Sequence, residues 1–394
     1  MWCKTRHKVI TELLRPFLYL YYAFRFGCWV KKQKLPKEGA IVVSNHVTTL
    51  DPVLMGLLFD KPLYYMTSKH VFQNPFVGKL LAYLVNPIPK EKINKSDIAA
   101  IKACMQIARE NGTVCIFPEG NRTFSGKLGY IDPAITKLIK RLGKPLIVCN
   151  IVGGYGADPR WCDGTRRGKI KTFVKRIYTC EDMQAMTNDE LYNAIVADLT
   201  VDEFSENCRY RNNRRAQCLE SVAFICPICG AKHTIYSKKH KAFCSACGME
   251  LTYNEDQTIS CKDEKFPFTY VHEWYDYQLK VLQESDYADG ELIYSDKVEV
   301  YAPELGKKKQ LMGTGDMQLR GDCLRFNLDS GEICLKIENI DGITLIGNRI
   351  MDVYSEEKTY RVMVAHKTNI LKYLHTFYII HNRKVEAAKE FVGI

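Results

Sequence analysis

The sequence predicts an α/β domain with a mixed sheet flanked by helices, followed by a small cysteine-rich module and a β-rich C-terminal domain. Between residues 40 and 200, short apolar strand patterns alternate with helical patterns, as they do in a layered α/β sheet. Two Cys-x2-Cys pairs follow within residues 226–247. From residue 291, short alternating strands are separated by glycine turns, which indicates a separate all-β region.

Length and charge agree with several domains. The chain has 394 residues, too many for one ordinary core, and 46% of them are hydrophobic, enough to bury one core per domain. Residues 1–220 contain 34 Lys and Arg against 20 Asp and Glu, a balance of +14, whereas the remainder carries 22 against 25, or −3. The basic surface therefore belongs to the first half of the chain.

The first predicted element is a basic, aromatic segment over residues 1–35. The first 40 residues hold nine basic and two acidic side chains around the uncharged nine-residue run 16–24, which is far short of the roughly 20 residues that span a bilayer. Arg25 interrupts the apolar run and no small-residue cleavage site follows, so a signal peptide is not indicated. We expect a helix, bent at Pro16, in the headgroup layer of an anionic membrane. The alternative is a helix whose aromatic face packs on the domain.

The strongest chemical signal is the stretch SNHVTTLDP at residues 44–52. Residues 40–44 read as a small apolar strand and Asp51 opens the next helix, so His46 and Asp51 lie five positions apart across a strand-to-helix turn. That spacing lets Asp51 hold one imidazole nitrogen of His46 while the other faces a cleft, as in a general base. The structural alternatives are that Asp51 is an ordinary helix N-cap and that His46 is a polar residue at the sheet edge whose hydrogen bonds are met and which has no catalytic role.

A second loop, FPEGNRT at residues 117–123, follows a predicted strand at 113–117. Ligands of open α/β sheets bind at the carboxyl ends of the strands, so we expect both loops to lie at the same edge of the sheet. Taken alone, the second loop reads as a strand-ending turn. The joint pattern favours a ligand site.

These blocks resemble the glycerolipid acyltransferase family, the lysophosphatidic acid acyltransferases of phospholipid synthesis, over residues 35–200. Residues 45–46 with Asp51 match the first block of the family, and residues 117–120 with Arg122 match the third. The resemblance implies an acyltransferase domain at residues 36–205. It also implies a substrate-binding set: Lys90, Glu119, Gly120 and Arg122.

Two other blocks match imperfectly. Where the family usually has Phe-Ile-Asp-Arg, this chain reads PIPK at residues 87–90, so Lys90 takes the arginine position, with Lys92 close by. The usual Val-Pro pair of the fourth block is Val-Cys at 148–149, and Asn121 replaces the usual Thr before Arg122. In the family these two basic positions are thought to hold the phosphate of the acceptor. A lysine binds phosphate with less geometric selectivity than the planar guanidinium of arginine. The departures at positions 90 and 121 therefore affect the prediction of which acceptor the protein uses.

The resemblance implies direct acyl transfer with His46 and Asp51 as catalytic residues. His46 would take the proton of the acceptor hydroxyl, and Asp51 would stabilise the imidazolium. The acceptor that the resemblance suggests first is 1-acylglycerol 3-phosphate. The alkoxide would attack an acyl thioester carried by coenzyme A or by acyl carrier protein. A nucleophilic Cys115 or Cys149 is the competing idea, but both sit in apolar strand patterns typical of inert packing.

The cysteine-rich module reads CPICG at residues 226–230 and CSACG at 244–248. Two Cys-x2-Cys pairs separated by 14 residues have the ligand spacing of a zinc ribbon, which we place at residues 221–262. Disulfides are the alternative, but the other cysteines are scattered as in a protein of a reducing cytosol. Because no base-reading motif accompanies the module, no nucleic acid partner is expected. The predicted ligands of a structural zinc are Cys226, Cys229, Cys244 and Cys247.

The remaining elements are read from periodicity. Helices are predicted at 97–111, 189–199, 273–282 and 369–391, and a polar linker at 206–220. The predicted strands of the C-terminal domain, residues 285–394, are 298–301, 315–319, 323–327, 333–337, 342–346, 351–354 and 360–364. Seven strands and a closing helix resemble a pleckstrin-homology-like barrel, although the acidic balance argues against strong phosphoinositide binding.

Two functional hypotheses follow. The first is an acyltransferase that acts on membrane lipids from the cytoplasmic side of the membrane, as a peripheral or monotopic protein. The second is a non-catalytic membrane adaptor in which an acyltransferase-like domain binds lipid while the other domains bind protein. The intact pair His46 and Asp51 favours the enzyme.

Overall fold

The computed structural model describes residues 2–72, 75–90, 98–205, 208–303, 310–356 and 358–384. The chain forms two compact units. Unit 1 consists of Met1–Arg160 and Gly164–Asn212, and unit 2 consists of Trp161–Asp163 and Asn213–Ile394. The short segment Trp161–Asp163 therefore belongs to the second unit although the first unit surrounds it in sequence.

Unit 1 is an α/β domain, as the alternating pattern predicts. Its helices are α1 Thr5–Phe26, α2 Asp51–Leu58, α3 Pro75–Leu84, α4 Ile98–Arg109, α5 Ala134–Leu142, α6 Gly154–Ala157, α7 Cys180–Ala185 and α8 Asn188–Leu199. Its strands are β1 Ile41–Ser44, β2 Leu63–Ser68, β3 Ile88–Lys90, β4 Thr113–Ile116, β5 Leu146–Val152 and β6 Lys171–Tyr178. Asp97, the predicted start of the helix at α4, lies outside the described residues.

The strands of unit 1 form one mixed sheet in the order β3-β2-β4-β1-β5-β6. Strands β1 to β5 run parallel, and β6 pairs antiparallel with β5. All four residues of β1 and of β4 are buried, because helices cover both faces of a parallel sheet and its central strands are continuously apolar. The carboxyl ends of β4, β1 and β5 therefore lie side by side at one edge.

Helix α1 runs without interruption from Thr5 to Phe26, with Pro16 inside it. Its buried residues are His7, Tyr22, Ala23 and Phe26. None of the described helices is both long enough and apolar enough to cross a membrane.

The segment 206–220, predicted as a polar linker, contains packed residues in its described part. Tyr210 is 2% exposed, and a Cβ at Gly156 or Gly168 would come within 2.3 Å of its ring. Ala216, Cys218, Leu219 and Glu220 are also buried. These residues are therefore packed although the segment is rich in arginine, and the boundary between the two units, after Asn212, falls within it.

Unit 2 contains two antiparallel sheets and two helices among its described residues. The strands of the smaller sheet are β7 Ile235–Lys238, β8 Lys241–Cys244, β9 Glu250–Tyr253 and β10 Ile259–Cys261, in the order β10-β9-β8-β7. The strands of the larger sheet are β11 Leu292–Ala302, β12 Gln310–Arg320, β13 Cys323–Leu328, β14 Gly331–Lys336, β15 Ile340–Ile346, β16 Ile350–Ser355 and β17 Lys358–Val364. The helices are α9 Val271–Glu284 and α10 Leu371–Lys384.

The larger sheet has the order β14-β13-β12-β11-β17-β16-β15, and α10 contacts β15. Each of the seven strands expected from the alternation is present, and β11 and β12 are much longer than expected. The predicted fourth strand ends one residue too late, because Ile337 already begins a short 3-10 turn. Residues 385–391 of the predicted last helix lie outside the described residues.

Candidate active site

His46 and Asp51 meet where the chain leaves β1 and enters α2. Nδ1 of His46 lies 2.7 Å from Oδ2 of Asp51. Asp51 is fully buried, and Oδ2 also accepts hydrogen bonds from the N–H groups of Val47 at 2.8 Å and Thr48 at 3.1 Å. The helix cap is Leu50, so the reading of Asp51 as an ordinary cap is wrong. One carboxylate thus holds both the turn and the imidazole.

The hydrogen bond to Asp51 determines which nitrogen of His46 can act as a base. An ionised carboxylate only accepts, so Nδ1 of the neutral imidazole carries the proton and Nε2 keeps the lone pair. Burial raises the pKa of Asp51, and the hydrogen bond and charge of His46 oppose that rise. The His46 ring stacks on Phe117 with centroids 4.6 Å apart, and its side chain is 20% exposed. No described residue forms a hydrogen bond with Nε2, which leaves this atom available to a hydroxyl.

Asn45 connects this turn to the neighbouring strand. Its Nδ2 donates to the carbonyl of Ile151 at 2.9 Å, and its Oδ1 accepts from the N–H of Ile151 at 2.8 Å. Asn45 is 3% exposed, so both bonds form away from water, where an unpaired amide would be costly. The pair of bonds fixes the end of β1 against β5 just before His46.

Glu119 holds the loop after β4 against the same turn. Its Oε1 accepts from the N–H of His46 at 2.6 Å, and its Oε2 accepts from the N–H of Gly129 at 2.7 Å. Removal from water raises the pKa of Glu119 to about 8, although the two N–H donors oppose the rise. Gly120 follows with a left-handed φ of +67°, a conformation that glycine adopts without a Cβ penalty. Both residues shape the loop beside His46.

Arg122 approaches His46 from the same loop and already has a carboxylate partner. The N–H of Thr123 donates to the carbonyl of His46 at 3.0 Å, and this bond joins the loop after β4 to the turn after β1. Nη1 of Arg122 lies 3.4 Å from Oδ2 of Asp158, and its side chain is 16% exposed. Burial lowers the pKa of Arg122, and the charge of Asp158 opposes that change. Oδ2 of Asp158 also accepts from the hydroxyl of Thr48 at 3.0 Å and from the N–H of Thr49 at 2.9 Å.

Asp158 and Arg160 belong to this site but were missed from the sequence. Nη1 of Arg160 donates to the carbonyl of Arg122 at 2.7 Å, and its guanidinium lies 4.0 Å from the centroid of the Phe124 ring. No motif marks either residue, because they lie more than 30 positions after Arg122 in a short loop behind α6. The available signal was the polar sequence ADPR at residues 157–160, which follows β5 and the glycine pair 153–154.

Lys90 is not brought next to His46. It is the last residue of β3, it is exposed, and it pairs with Ser68 of β2 at the outer side of the sheet. Strands β2 and β4 separate β3 from β1, which corresponds to about 14 Å at the usual strand spacing. Lys90 does lie at the carboxyl edge that carries His46, since these strands are parallel. Lys92 lies outside the described residues.

The two candidate nucleophilic cysteines are packed inside the sheet. Cys115 in β4 and Cys149 in β5 are fully buried. Burial raises the pKa of both thiols well above the ordinary value, so neither is a thiolate near neutral pH. Their burial favours the interpretation that both cysteines pack the sheet and that neither is a nucleophile.

In unit 2 the four cysteines of the two Cys-x2-Cys pairs converge. Their sulfur atoms all lie within 4.8 Å of one another, with 3.7 Å between Cys226 and Cys247 and 3.8 Å between Cys229 and Cys244. These separations are much longer than the 2.05 Å of a disulfide bond. The two turns have the same form: Gly230 and Gly248 adopt left-handed φ angles and donate their N–H to the first cysteine of each pair. Four thiolates at this spacing could hold one tetrahedral metal ion.

Comparison with known proteins connects unit 1 to one family. Residues 28–152 match the family model described as Acyltransferase. A probable 1-acyl-sn-glycerol-3-phosphate acyltransferase of Mycoplasma pneumoniae is 27% identical over 156 residues, which are 38% of this chain and 58% of that protein. The 1-acyl-sn-glycerol-3-phosphate acyltransferase of Bacillus subtilis is 29% identical over 146 residues, 36% of this chain and 69% of that protein.

Two further matches have lower sequence identity. A chloroplastic 1-acyl-sn-glycerol-3-phosphate acyltransferase of Arabidopsis thaliana is 22% identical over 148 residues, 36% of this chain and 41% of that protein. The crystal structure of the 1-acyl-sn-glycerophosphate acyltransferase of Thermotoga maritima matches with a TM-score of 0.40 and 18% identity, over 49% of this chain and 78% of that one. The chain spans 58% of the Mycoplasma pneumoniae relative and 41% of the Arabidopsis thaliana relative, about half their length on average.

Proposed function

We propose that unit 1, whose residues 28–152 belong to the acyltransferase family, transfers a fatty acyl group from an acyl thioester to the hydroxyl of a lysophospholipid. The donor is acyl-CoA or acyl-ACP, and the first acceptor to consider is 1-acylglycerol 3-phosphate, which the names of the relatives suggest. The observation that carries the proposal is the 2.7 Å contact of Nδ1 of His46 with the buried carboxylate of Asp51.

The reaction follows from the orientation of the imidazole. Nε2 of His46 takes the proton of the acceptor hydroxyl while its oxygen attacks the thioester carbonyl. Asp51 stabilises the imidazolium that forms, as the acidic partner does in a catalytic triad. The tetrahedral intermediate collapses, the C–S bond breaks, and the leaving thiolate takes the proton back from His46. The products are the ester and the free thiol of the carrier, with the base restored.

The direct test is an assay of the purified protein with radiolabelled acyl-CoA or acyl-ACP and a panel of acceptors: glycerol 3-phosphate, 1-acylglycerol 3-phosphate, other lysophospholipids and a neutral glycolipid. Labelled product with 1-acylglycerol 3-phosphate is the expected result. The second candidate, a non-catalytic membrane adaptor, predicts lipid binding with no labelled product from any acceptor.

Arg122 is the proposed phosphate ligand, and Arg122→Ala should mainly affect phosphate-bearing acceptors. Loss of a charge-assisted contact of about 1.5–3 kcal/mol lowers kcat/KM about tenfold to a hundredfold. We expect a higher KM and a lower kcat for 1-acylglycerol 3-phosphate in steady-state assays. The exposed Arg141→Ala in α5 is the matched control and should leave both values unchanged. Equal loss with phosphate-bearing and neutral acceptors would mean that Arg122 is structural, held only by Asp158.

A membrane surface is the second part of the proposal. Several apolar residues of α1 and α3 are more than a third exposed, which is unusual for so many large side chains on two adjacent helices. The guanidinium of Arg6 in α1 lies 4.6 Å from the centroid of the Tyr83 ring in α3, so the two helices are neighbours. We place this surface in the headgroup layer on the cytoplasmic side of the membrane. Its exposed apolar residues are Leu13, Leu14, Phe17, Leu20, Tyr21, Phe24, Phe76, Val77, Leu80 and Tyr83.

Replacing Phe17, Leu20 and Phe24 together by serine should release the protein from membranes. These side chains are 66–79% exposed, so their loss removes lipid contacts without opening a core. We expect affinity for phosphatidylglycerol vesicles to fall at least about tenfold in sedimentation assays, because each buried apolar side chain contributes roughly 1.5–3 kcal/mol. Affinity of the parent protein should also fall with salt. Serine at Phe173 and Ile177, exposed in β6, is the matched control, and unchanged binding of the triple variant would contradict the proposed surface.

For unit 2 we propose that the four cysteines bind a structural zinc ion and form a zinc ribbon. Thiolates at 2.3 Å from a tetrahedral zinc ion lie about 3.8 Å apart, close to the two sulfur separations of 3.7 and 3.8 Å. The following antiparallel domain is proposed to be pleckstrin-homology-like, a reading supported by its seven strands and C-terminal helix. Such a module recruits a protein to lipids or to protein partners.

A further inference from the structure

Three side chains that no part of the proposed function uses meet in unit 2. Sγ of Cys218 lies 3.2 Å from Oδ2 of Asp163 and 3.7 Å from Nε2 of His366. The same Nε2 lies 2.5 Å from Oδ2 of Asp163. A thiol, an imidazole and a carboxylate therefore point to one place, and they share no residue with the four-cysteine cluster.

The local structure holds these groups in position. Cys218 is 1% exposed, and its N–H donates to the hydroxyl of Ser237 in β7 at 2.9 Å. Nδ2 of Asn348 lies 3.3 Å from Oδ1 of Asp163, so the carboxylate oxygen that faces the cluster is the other one. The side chains of Asp163 and His366 are 38% and 43% exposed. The cluster thus has a buried sulfur on one side and an opening to water on the other.

A buried carboxylate nearby adds negative charge. Glu220, two residues after Cys218, is 5% exposed, and neither of its side-chain oxygens forms a hydrogen bond with any described residue. Its one cationic neighbour among the described residues is Nζ of Lys367 at 3.7 Å. The two carboxylates of Asp163 and Glu220 thus stand against one nearby lysine, Lys367, and this balance of charge favours an additional cation.

We propose that Asp163, Cys218 and His366 form a second zinc site, with water as the fourth ligand. Zinc is bound in proteins by thiolate, imidazole and carboxylate, and three protein ligands with a water are characteristic of open zinc sites. The combination of sulfur and nitrogen selects zinc over magnesium and calcium, which prefer oxygen ligands alone.

The distances need only a small adjustment. In a tetrahedral zinc site the ligand atoms lie roughly 3.3–3.6 Å apart, so the two distances from sulfur fit within a few tenths of an ångström. The Asp163–His366 distance is that of a hydrogen bond and must open by about 0.8 Å, which the two exposed side chains can accommodate by rotation. When Nε2 binds zinc, the imidazole keeps its one proton on Nδ1, and the thiol proton of Cys218 is released to solvent.

Such an ion would connect three distant parts of unit 2. Cys218 is 55 residues from Asp163 and 148 residues from His366. Because this ion is bound by the folded protein, it stabilises the fold by a free energy that grows with the logarithm of the metal concentration divided by Kd.

The test counts metal ions in the full-length protein. Chelated, reduced protein is titrated with Co²⁺ as a spectroscopic probe and then with Zn²⁺, and bound metal is measured after gel filtration. We expect two ions per chain in the parent protein and one in Asp163→Asn, Cys218→Ser and His366→Gln. Cys218→Ser should also lose about one fifth of the thiolate-to-cobalt absorbance, because it removes one of five thiolate ligands. Cys334→Ser, an exposed cysteine of β14, is the control and should keep two ions.

Failure of this site is distinguishable from failure of the zinc ribbon. Cys229→Ser removes a ligand of the ribbon and leaves the second site intact, so it should retain the ion that Cys218→Ser loses. His366→Gln changes an exposed side chain and keeps the test valid if Cys218→Ser does not fold. Equal metal content in the parent protein and in His366→Gln and Asp163→Asn would overturn the proposal and leave an Asp–His ion pair beside a buried thiol.

Discussion

His46→Ala is expected to lower the rate of acyl transfer by about three orders of magnitude. Within the part of the chain that the structure describes, the imidazole is the base that Asp51 orients toward a hydroxyl, and general-base catalysis contributes roughly 10²–10⁴-fold. His46 stacks on Phe117 and is hydrogen-bonded to the buried Asp51, and it is not part of the proposed membrane surface. The affinity of the variant for vesicles should therefore be unchanged. The measurement is kcat/KM with 1-acylglycerol 3-phosphate and radiolabelled acyl-CoA.

Two variants delimit the interpretation of His46→Ala. Asp51→Asn should also lose most activity, because an amide can donate to Nδ1 and so stabilise the wrong tautomer. His240→Ala, at a histidine of unit 2, is the matched control and should keep full activity. Activity of His46→Ala within about tenfold of the parent protein, one decade in rate, would contradict the enzyme and favour the adaptor.

Cys226→Ser is expected to remove one zinc ion per chain and to unfold the ribbon. Structural zinc sites in small modules contribute about 10–16 kcal/mol of apparent binding free energy, far more than a four-stranded sheet of short strands gains by itself. Elemental analysis should therefore show one zinc fewer than in the parent protein, and thermal unfolding of unit 2 should begin at a lower temperature. Unit 1 has its own core and should retain acyl transfer.

Cys334→Ser, exposed in β14, controls for the loss of a thiol, and it should keep the zinc content and stability of the parent protein. The ribbon proposal fails if protein purified from a reducing cytosol contains neither zinc nor iron and all four thiols of the cluster react freely in the native state. The 3.7 and 3.8 Å sulfur separations would then reflect packing of four neutral thiols.

The sequence by itself determined the features whose partners are close along the chain. His46 and Asp51 are five residues apart across one turn, so their contact follows from local geometry. Each Cys-x2-Cys-Gly turn likewise positions its own pair of sulfurs, and the seven strands of the larger sheet of unit 2 follow from period-two alternation. The alternation of strands and helices that marks unit 1 as an α/β domain could be predicted for the same reason.

The tertiary structure alone decided which distant residues share a site. Asp158 binds Arg122 and the turn before Asp51 because β5 lies beside β1 in the sheet, an order that no local pattern specifies. The strand order also leaves Lys90 at the outer side of the sheet, although its block resembles a phosphate-binding one. Asp163, Cys218 and His366 meet across up to 203 residues of chain. Spacing encodes contacts within a turn, whereas contacts between segments depend on how buried surfaces pack, which a single sequence does not display.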